Sequence, residues 1–385
     1  MKESENRLYF LDNLRIVLIM LVVAHHAGQP YGGSEGWWYF KTINSPGLGS
    51  FFAVNAAFFM SLFFLISAYF VPHSFDKKGI REFLKDRLIR LGIPLILGFF
   101  IIIPLLMYSY YINFRDSSFI GIWDYYIKIY FGIGGQPTRW TGPSWPDMNF
   151  GHLWFIEHLL VYVFIYTIIR TIMQKYITHK KPPKSFPSQI SIILFTFMIA
   201  MFTFIVRIWY PIDHWTGFLG VIQTEFAHVT QYMSFFIAGI FAAKNNWIIK
   251  IPRSVGVIWL LIGILLALVL YSGEFSIFQK GGLNWGSLTY SVVETYLCSG
   301  LSIGLVFLFH RKFNKTNSIF QYLSADVFTV YIFHVPIVVI LQYTVENLDV
   351  SAYVKFLLVS LFGIILSFLV SHYLIRKIPY SNKVL

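Results

Sequence analysis

Residues 11–28 read LDNLRIVLIMLVVAHHAG, with nine apolar residues in a row between Arg15 and the pair His25–His26. A helix that spans a membrane needs about 20 mostly apolar residues. Ionisable side chains inside such a helix are costly, and they usually face a bundle interior or a water path. The stretch therefore predicts a membrane helix with functional polar residues. The alternative is that Arg15 reaches the inner interface along its own aliphatic stem, while the histidines cap the outer end.

The composition of the whole chain is typical of a membrane protein. Of the 385 residues, 56% are hydrophobic, 19% are aromatic and only 12% are charged, whereas soluble domains usually carry about 25% charged residues. We therefore predict an all-α polytopic membrane protein, with residues 1–385 forming a single transmembrane domain without an appended soluble domain. The sequence contains ten runs long enough to span a bilayer, at 10–28, 48–71, 92–112, 151–173, 189–209, 228–243, 254–272, 286–309, 326–345 and 353–375.

The positions of the basic residues support ten spans. If the N-terminus lies in the cytoplasm, alternate connections become cytoplasmic, and they hold 23 of the 30 Lys and Arg residues. Such an excess is the positive-inside signature. We therefore predict that both termini are cytoplasmic. The net charge of +12 is then explained by topology and by contact with anionic lipid headgroups, so nucleic acid is not an expected partner.

Helical phase relates the two polar ends of the first span. His26 follows Arg15 by eleven residues, which is three turns plus about 20°, so the two residues share one face and lie roughly 16 Å apart along the axis. His25 is turned about 80° away from Arg15. The phase therefore favours His26 as the partner of Arg15 and leaves His25 as the alternative imidazole.

A pair of arginines precedes the third predicted span. Arg87 and Arg90 are three residues apart, so they lie one above the other on a helix. Two guanidinium groups on one face suit a phosphate or pyrophosphate, which they can bind through paired hydrogen bonds. By spacing alone, ordinary positive-inside charges are the better explanation.

The fourth predicted span opens with the residues GHLWFIEH at 151–158. Its Glu157 is a carboxylate in an apolar helix, and it must be paired or neutralised there. Next to His158, it is a candidate to orient an imidazole or to accept a proton; a structural ion pair is the alternative. Polar residues in later spans each favour an interhelical hydrogen bond when taken alone; they are Glu294, Tyr331 and His334.

Several motifs of soluble enzymes are absent from the sequence. It contains no Walker loop, no dinucleotide fingerprint, no HExxH and no Gly-x-Ser-x-Gly. The histidines are not at metal-ligand spacing, so we expect no metal site.

Five short motifs, taken in order, resemble those of the acyltransferase family 3 membrane proteins. Each is weak alone, but together on a ten-helix frame they are fairly specific, and the resemblance runs from about residue 7 to 376. The motifs are Arg15 with His26, Arg87 with Arg90 before LGIP, GHLWFIE at 151–157, FFIAGI at 235–240, and VYIFHVP at 330–336.

This resemblance implies an integral membrane O-acyltransferase of the bacterial plasma (inner) membrane. Members of the family move an acyl group, commonly acetyl, from cytoplasmic acyl-CoA to a hydroxyl of an extracytoplasmic glycan, and a branch succinylates glucans. The expected donor substrate is thus acetyl-CoA or succinyl-CoA, with no permanently bound cofactor. The partners are the donor, the glycan and the lipid bilayer. A polytopic transporter or flippase for a polysaccharide or small solute is the alternative.

The residues and the resemblance together suggest a set of site residues. His26 would act as general base or accept the acyl group itself, with Arg15 and Glu157 as catalytic partners, and Glu157 would hold the second nitrogen of the imidazole. We expect the remaining candidates to bind substrate; they are Arg87, Arg90, Trp154, His158, His334 and Tyr331.

Overall fold

The computed structural model describes residues 7–33, 38–42, 48–114, 120–133, 150–174, 182–219, 221–272, 278–379 and 381–385. Within these residues, ten helices are long and apolar enough to cross a membrane, which confirms the predicted all-α polytopic fold. They are α1 (Tyr9–Gly28), α2 (Gly49–Tyr69), α3 (Val71–Phe114), α4 (Trp154–Gln174), α5 (Gln189–Trp209), α6 (Phe226–Asn245), α7 (Arg253–Tyr271), α8 (Trp285–Lys312), α9 (Ser318–Thr344) and α10 (Ala352–Tyr373).

Two helices begin earlier than their hydropathy predicts. The helical segment of α3 starts at Val71 rather than near residue 92, and it is interrupted by a kink at Gly79, whose φ of +73° and ψ of +169° are not helical. A search for apolar runs misses the segment before the span because it is rich in Lys, Arg and Asp. Helix α9 starts at Ser318 rather than near residue 326, because Asn317 caps it: the side-chain oxygen of Asn317 accepts a hydrogen bond from the Phe320 amide at 2.9 Å.

The helices alternate in direction, so the bundle has two ends. At the end where α1 begins, Asn13 donates a side-chain hydrogen bond to the Phe313 carbonyl beyond α8, at 2.7 Å. We call this the basic end, because Arg15, Arg87 and Arg170 lie there. The opposite end, where α1 finishes, is called the histidine end. The placement of the basic end in the cytoplasm stays a prediction from the charge pattern.

A short β-hairpin that the sequence reading did not predict lies between α5 and α6 at the histidine end. Strands β1 (Trp215–Phe218) and β2 (Ile222–Glu225) pair antiparallel, with Trp215 opposite Glu225. Four residues per strand is too short for a clear alternating pattern. The hairpin packs against the first turns of α4 and α6.

Buried charges anchor this hairpin. His228 of α6 points Nδ1 at Glu225 at 2.7 Å and Nε2 at Glu294 of α8 at 3.0 Å. Both carboxylates accept, so both ring nitrogens must donate, and His228 is an imidazolium. Arg207 of α5 donates to Glu294 as well. Two carboxylates therefore balance two cations, as burial of charge requires.

Glu225 lies just outside the α6 span, where its ionisation is set by its neighbours. Burial alone raises the pKa of the carboxyl. The charge and hydrogen bond of His228, together with the Asp213 amide that donates to the carboxylate at 2.7 Å, outweigh burial and lower the pKa below its ordinary value. Glu225 is therefore ionised in the folded protein.

Candidate active site

Three imidazoles from distant parts of the chain meet at the histidine end. His26 comes from α1, His334 from α9, and His152 from the short 3₁₀ turn Gly151–Leu153 that leads into α4. The ring centroids lie 4.9 Å apart for His26 and His334, 5.3 Å for His152 and His334, and 6.4 Å for His26 and His152. Among the residues that the structure describes, these rings do not form a group that could hold a metal ion.

The hydrogen bonds of His334 and His26 determine which nitrogens carry protons. Nδ1 of His334 lies 3.0 Å from the Val330 carbonyl and 2.8 Å from the Tyr331 carbonyl. A carbonyl only accepts, so this nitrogen carries the proton, and Nε2 of neutral His334 is an acceptor. That Nε2 lies 2.9 Å from Nδ1 of His26, which is also 3.0 Å from the Val22 carbonyl. Nδ1 of His26 is therefore the donor to both.

This assignment leaves Nε2 of His26 with its lone pair. In the described part of the chain, this nitrogen makes no hydrogen bond, and the His26 side chain is half-buried. A neutral imidazole with one proton held and the other nitrogen free is the form that can remove a proton from a hydroxyl.

A tryptophan and a glutamine hold the His26 ring in place. The ring of Trp38 stacks on it, with centroids 5.6 Å apart and an interplanar angle of 22°. Trp38 donates its indole N–H to the side-chain oxygen of Gln342 at 2.8 Å, and Gln342 in turn donates to the Ala27 carbonyl at 3.2 Å. Trp38, held by Gln342 of α9, thus fixes the orientation of the His26 ring on α1.

His152 and Tyr331 complete the cluster from the side of α4. Nε2 of His152 donates to the Ile332 carbonyl at 2.9 Å, and the hydroxyl of Tyr331 donates to the His152 carbonyl. Nδ1 of His152 is buried and has no hydrogen-bond partner. These bonds fix the start of α4 against the middle of α9.

His25, the other candidate imidazole, faces a different helix. Its ring packs on Phe52 and Phe59 of α2, at centroid distances of 4.9 and 5.2 Å, and its Nδ1 is buried without a hydrogen-bond partner. The ring remains 5.7 Å from that of His26. His26 is therefore the one of the pair that meets His152 and His334.

Glu157 does not make the contact with His26 that was expected from the sequence. Its carboxylate accepts from the Gln223 amide of β2 at 3.3 Å, while the nitrogen that faces His26 belongs to His334. His158 also faces the hairpin, with Nε2 3.1 Å from the Gln223 carbonyl. In helix α4, Glu157 and His158 lie next to strand β2. The spacing of residues along the sequence does not predict this contact.

Trp154 also packs against the hairpin. Its ring stacks on Tyr232 at 5.3 Å and packs on His158 at 5.3 Å and on the half-exposed Trp215 at 5.7 Å. Trp154, Glu157 and His158 thus lie against the hairpin, whereas Tyr331 and His334 lie with His26.

The arginines of the basic end keep much of their hydrogen-bonding capacity. Arg87 donates from Nη2 to the Ser74 hydroxyl at 3.1 Å and lies over the Phe83 ring, while its Nε is buried without a partner. Arg90 pairs with Asp86 at 3.2 Å and has a side chain that is 57% exposed. Arg15 lies 4.0 Å from Asp12 and is partly exposed.

The match to a known family agrees with this arrangement. The family model of acyltransferase family 3, described as an acyltransferase domain, covers residues 8–376. The chain belongs to acyltransferase family 3. It is therefore a multi-pass membrane protein with an acyltransferase domain, and the cluster of imidazoles lies inside that domain.

Relatives of this acyltransferase family 3 chain carry the name glucans biosynthesis protein C. The protein from Escherichia coli O139:H28 is 27% identical over 354 residues, which cover 86% of this chain and 82% of the relative. The protein from Shigella dysenteriae serotype 1 is 29% identical over 251 residues, and the one from Salmonella paratyphi B is 26% identical over 243 residues. These two alignments cover 61% of this chain and span 58% of the length of the relatives.

Proposed function

We propose that this acyltransferase domain transfers an acyl group, with acetyl as the first choice, from acyl-CoA at the basic end to a glycan hydroxyl at the histidine end. The basic end then faces the cytoplasm of a bacterium, and the histidine end lies outside the inner membrane. The observation that supports the proposal is the free Nε2 of His26, whose opposite nitrogen is held as a donor by His334.

The chemistry requires one base and one leaving group. Nε2 of His26 removes the proton of the acceptor hydroxyl as its oxygen attacks the thioester carbonyl. The carbon–sulfur bond breaks, CoA leaves as the thiolate, and the proton on Nε2 passes to that sulfur. His334 accepts from Nδ1 of His26 and stabilises the imidazolium that forms between the two steps.

Arg87 and Arg90 are the groups that we assign to the phosphates of the donor. Arg87 has an unpartnered Nε, and the guanidinium of Arg90 is largely exposed, so both can donate further hydrogen bonds to phosphate oxygens. Arg15 lies on the same end of the bundle, and the proposal gives it a supporting positive charge.

The acceptor is proposed to be a glucan, in line with the name of the relatives, and succinyl-CoA is the second donor to be tried. The exposed Trp215 beside Trp154 offers an aromatic surface at the histidine end. A tryptophan ring presents a large apolar face, on which the apolar face of a sugar ring can pack.

The proposal is tested with purified protein in liposomes, supplied with radiolabelled acetyl-CoA and a glucan. We expect His26→Gln to abolish transfer of label to the glucan and His25→Gln, the matched control, to retain most of it. Full transfer by folded His26→Gln would overturn the assignment of the base. Label retained on the wild-type protein but not on His26→Gln when the glucan is omitted would show that His26 accepts the acyl group covalently instead.

A further inference from the structure

A row of polar side chains runs along α4. Successive members are four residues apart, so each lies about one turn beyond the last in a row that winds slowly around the helix; they are His158, Tyr162, Tyr166 and Arg170. The first three are 3%, 6% and 8% exposed. A polar atom of each lacks a hydrogen-bond partner: His158 Nδ1, the two tyrosine hydroxyls and Arg170 Nε. Buried polar atoms are usually paired, so four unpartnered atoms in one row can hydrogen-bond a ligand or water.

The row connects the two functional ends of the bundle. At the basic end, Arg170 donates to Asp76 at 3.3 Å and the Tyr166 ring packs on Phe75 at 5.8 Å. The preceding residue, Ser74, accepts the hydrogen bond from Arg87. Three consecutive residues therefore join Arg87 to the row.

At the histidine end, the chain of α4 leads directly to the imidazole cluster. His152 lies six residues before His158, and its ring is in contact with those of His26 and His334. From residue 158 to residue 170, the row spans about 18 Å along the helix axis. The row thus extends from the neighbourhood of Arg87 to His158, which lies six residues after His152 of the imidazole cluster.

We propose that this row binds the pantetheine arm of the acyl-CoA donor, an inference that rests on the proposed function. The arm is an extended chain with two amides, and each needs partners in a dry interior. The hydroxyls of Tyr162 and Tyr166 donate to the amide carbonyls. Nε2 of His158 donates to Gln223, so its Nδ1 is the acceptor for an amide N–H.

The spacing of the row fits this ligand. Successive members are about 6 Å apart along the axis. The two carbonyls of the arm are separated by a β-alanine unit, about 5 Å, one bond longer than the 3.8 Å step of an ordinary peptide. The row therefore offers one tyrosine hydroxyl for each amide.

Three donors of decreasing length test the assignment: acetyl-CoA, acetyl-pantetheine and S-acetyl-N-acetylcysteamine, of which the last keeps only one amide. In the variant Tyr162→Phe/Tyr166→Phe, we expect the KM for the first two donors to rise about tenfold, as loss of hydrogen bonds predicts. The KM for the shortest donor should change less, and kcat should be preserved. Tyr296→Phe is the matched control, because its hydroxyl bonds the Ile193 carbonyl between α8 and α5, and it should leave every KM unchanged.

Two results separate failure of this inference from failure of the proposed function. Unchanged KM values for the variant, or equal rises for all three donors, would overturn the role of the row while transfer itself continues. If folded wild-type protein transfers acetyl from no donor, the proposed function fails. Calorimetry of CoA binding then tests whether the row binds the donor. An equal Kd in wild type and variant overturns this role, and a higher Kd in the variant supports it.

Discussion

At the scale of single residues, the decisive feature is where one proton resides. Two carbonyls of α9 hold the proton of His334 on Nδ1, and its Nε2 then faces Nδ1 of His26. Since Val22 also accepts from that nitrogen, the tautomer of His26 is fixed by two partners from two helices. The nitrogen that acts as the base in the proposed mechanism is thus selected by hydrogen bonds within the protein.

Replacement of His334 tests this positioning role. We expect His334→Leu to lower kcat about ten- to a hundredfold with little change in the KM for acetyl-CoA. The loss should stay below the roughly 10⁴-fold effect of replacing a triad aspartate, because the Val22 carbonyl remains. His334→Gln keeps an acceptor at this position and should recover part of the rate. A kcat equal to wild type in His334→Leu would contradict the role.

Several residues of the site carried a signal in the sequence, and others did not. Arg15 and His26 were recognisable because ionisable side chains are energetically costly in an apolar span. His334 was recognisable as a polar residue in a later span. Trp38 and Gln342, which hold His26, are ordinary residues of a loop and a helix. Glu157 was singled out correctly as a buried carboxylate, but its partner is the Gln223 amide, which no spacing rule identifies.

At the scale of elements, glycines decide how closely two helices approach. A Cβ placed on Gly300 of α8 would lie 2.6 Å from the Gly263 backbone of α7, and one on Gly263 would lie 2.5 Å from the Leu301 backbone. Small residues of this kind allow helix backbones to touch in a membrane, where no hydrophobic effect drives the packing.

Substitution of Gly300 should therefore separate α7 from α8. We expect Gly300→Leu to lower the melting temperature of the protein in detergent, because the clash is with backbone that cannot rotate away. Gly49→Ala is the control, since nothing lies within 4 Å of an added Cβ there. An unchanged melting temperature for Gly300→Leu would show that the two helices can move apart without loss.

The hairpin predicts a pH dependence of stability. The pKa of Glu225 is lower in the folded protein than in the unfolded chain. The ionised carboxylate therefore contributes its full stabilisation of the fold above the unfolded pKa of about 4.3. This stabilisation is lost as the pH falls through the folded pKa. Glu225→Gln should be less stable than wild type at neutral pH, by about 3 kcal/mol as for a broken buried pair. The gap should close as the pH falls below about 4.3. Thermal unfolding at a series of pH values measures this, and a gap that stays constant would contradict it.

At the scale of the whole molecule, the direction of the bundle across the membrane is the main prediction. Thr316 follows α8 at the basic end, and Leu283, 78% exposed, precedes α8 at the histidine end. In intact cells, an impermeant maleimide should label Leu283→Cys and should label Thr316→Cys only after permeabilisation. Cys298 is buried, and a Cys298→Ser background removes it from the reaction. The reverse pattern would overturn the predicted orientation.

The sequence by itself determined the ten helices, the alternation of basic connections and the family. These properties are local, because a span is recognised by its own length and apolar content and each connection by its own charges. Only the tertiary structure decided which nitrogen of His26 is free, since its partner His334 is 308 residues away along the chain. The hairpin, the partner of Glu157 and the row along α4 likewise depend on contacts between distant segments. Arg15 and His26 of α1 were therefore recognisable in the sequence, whereas the nitrogen of His26 that carries the proton is set by helix packing.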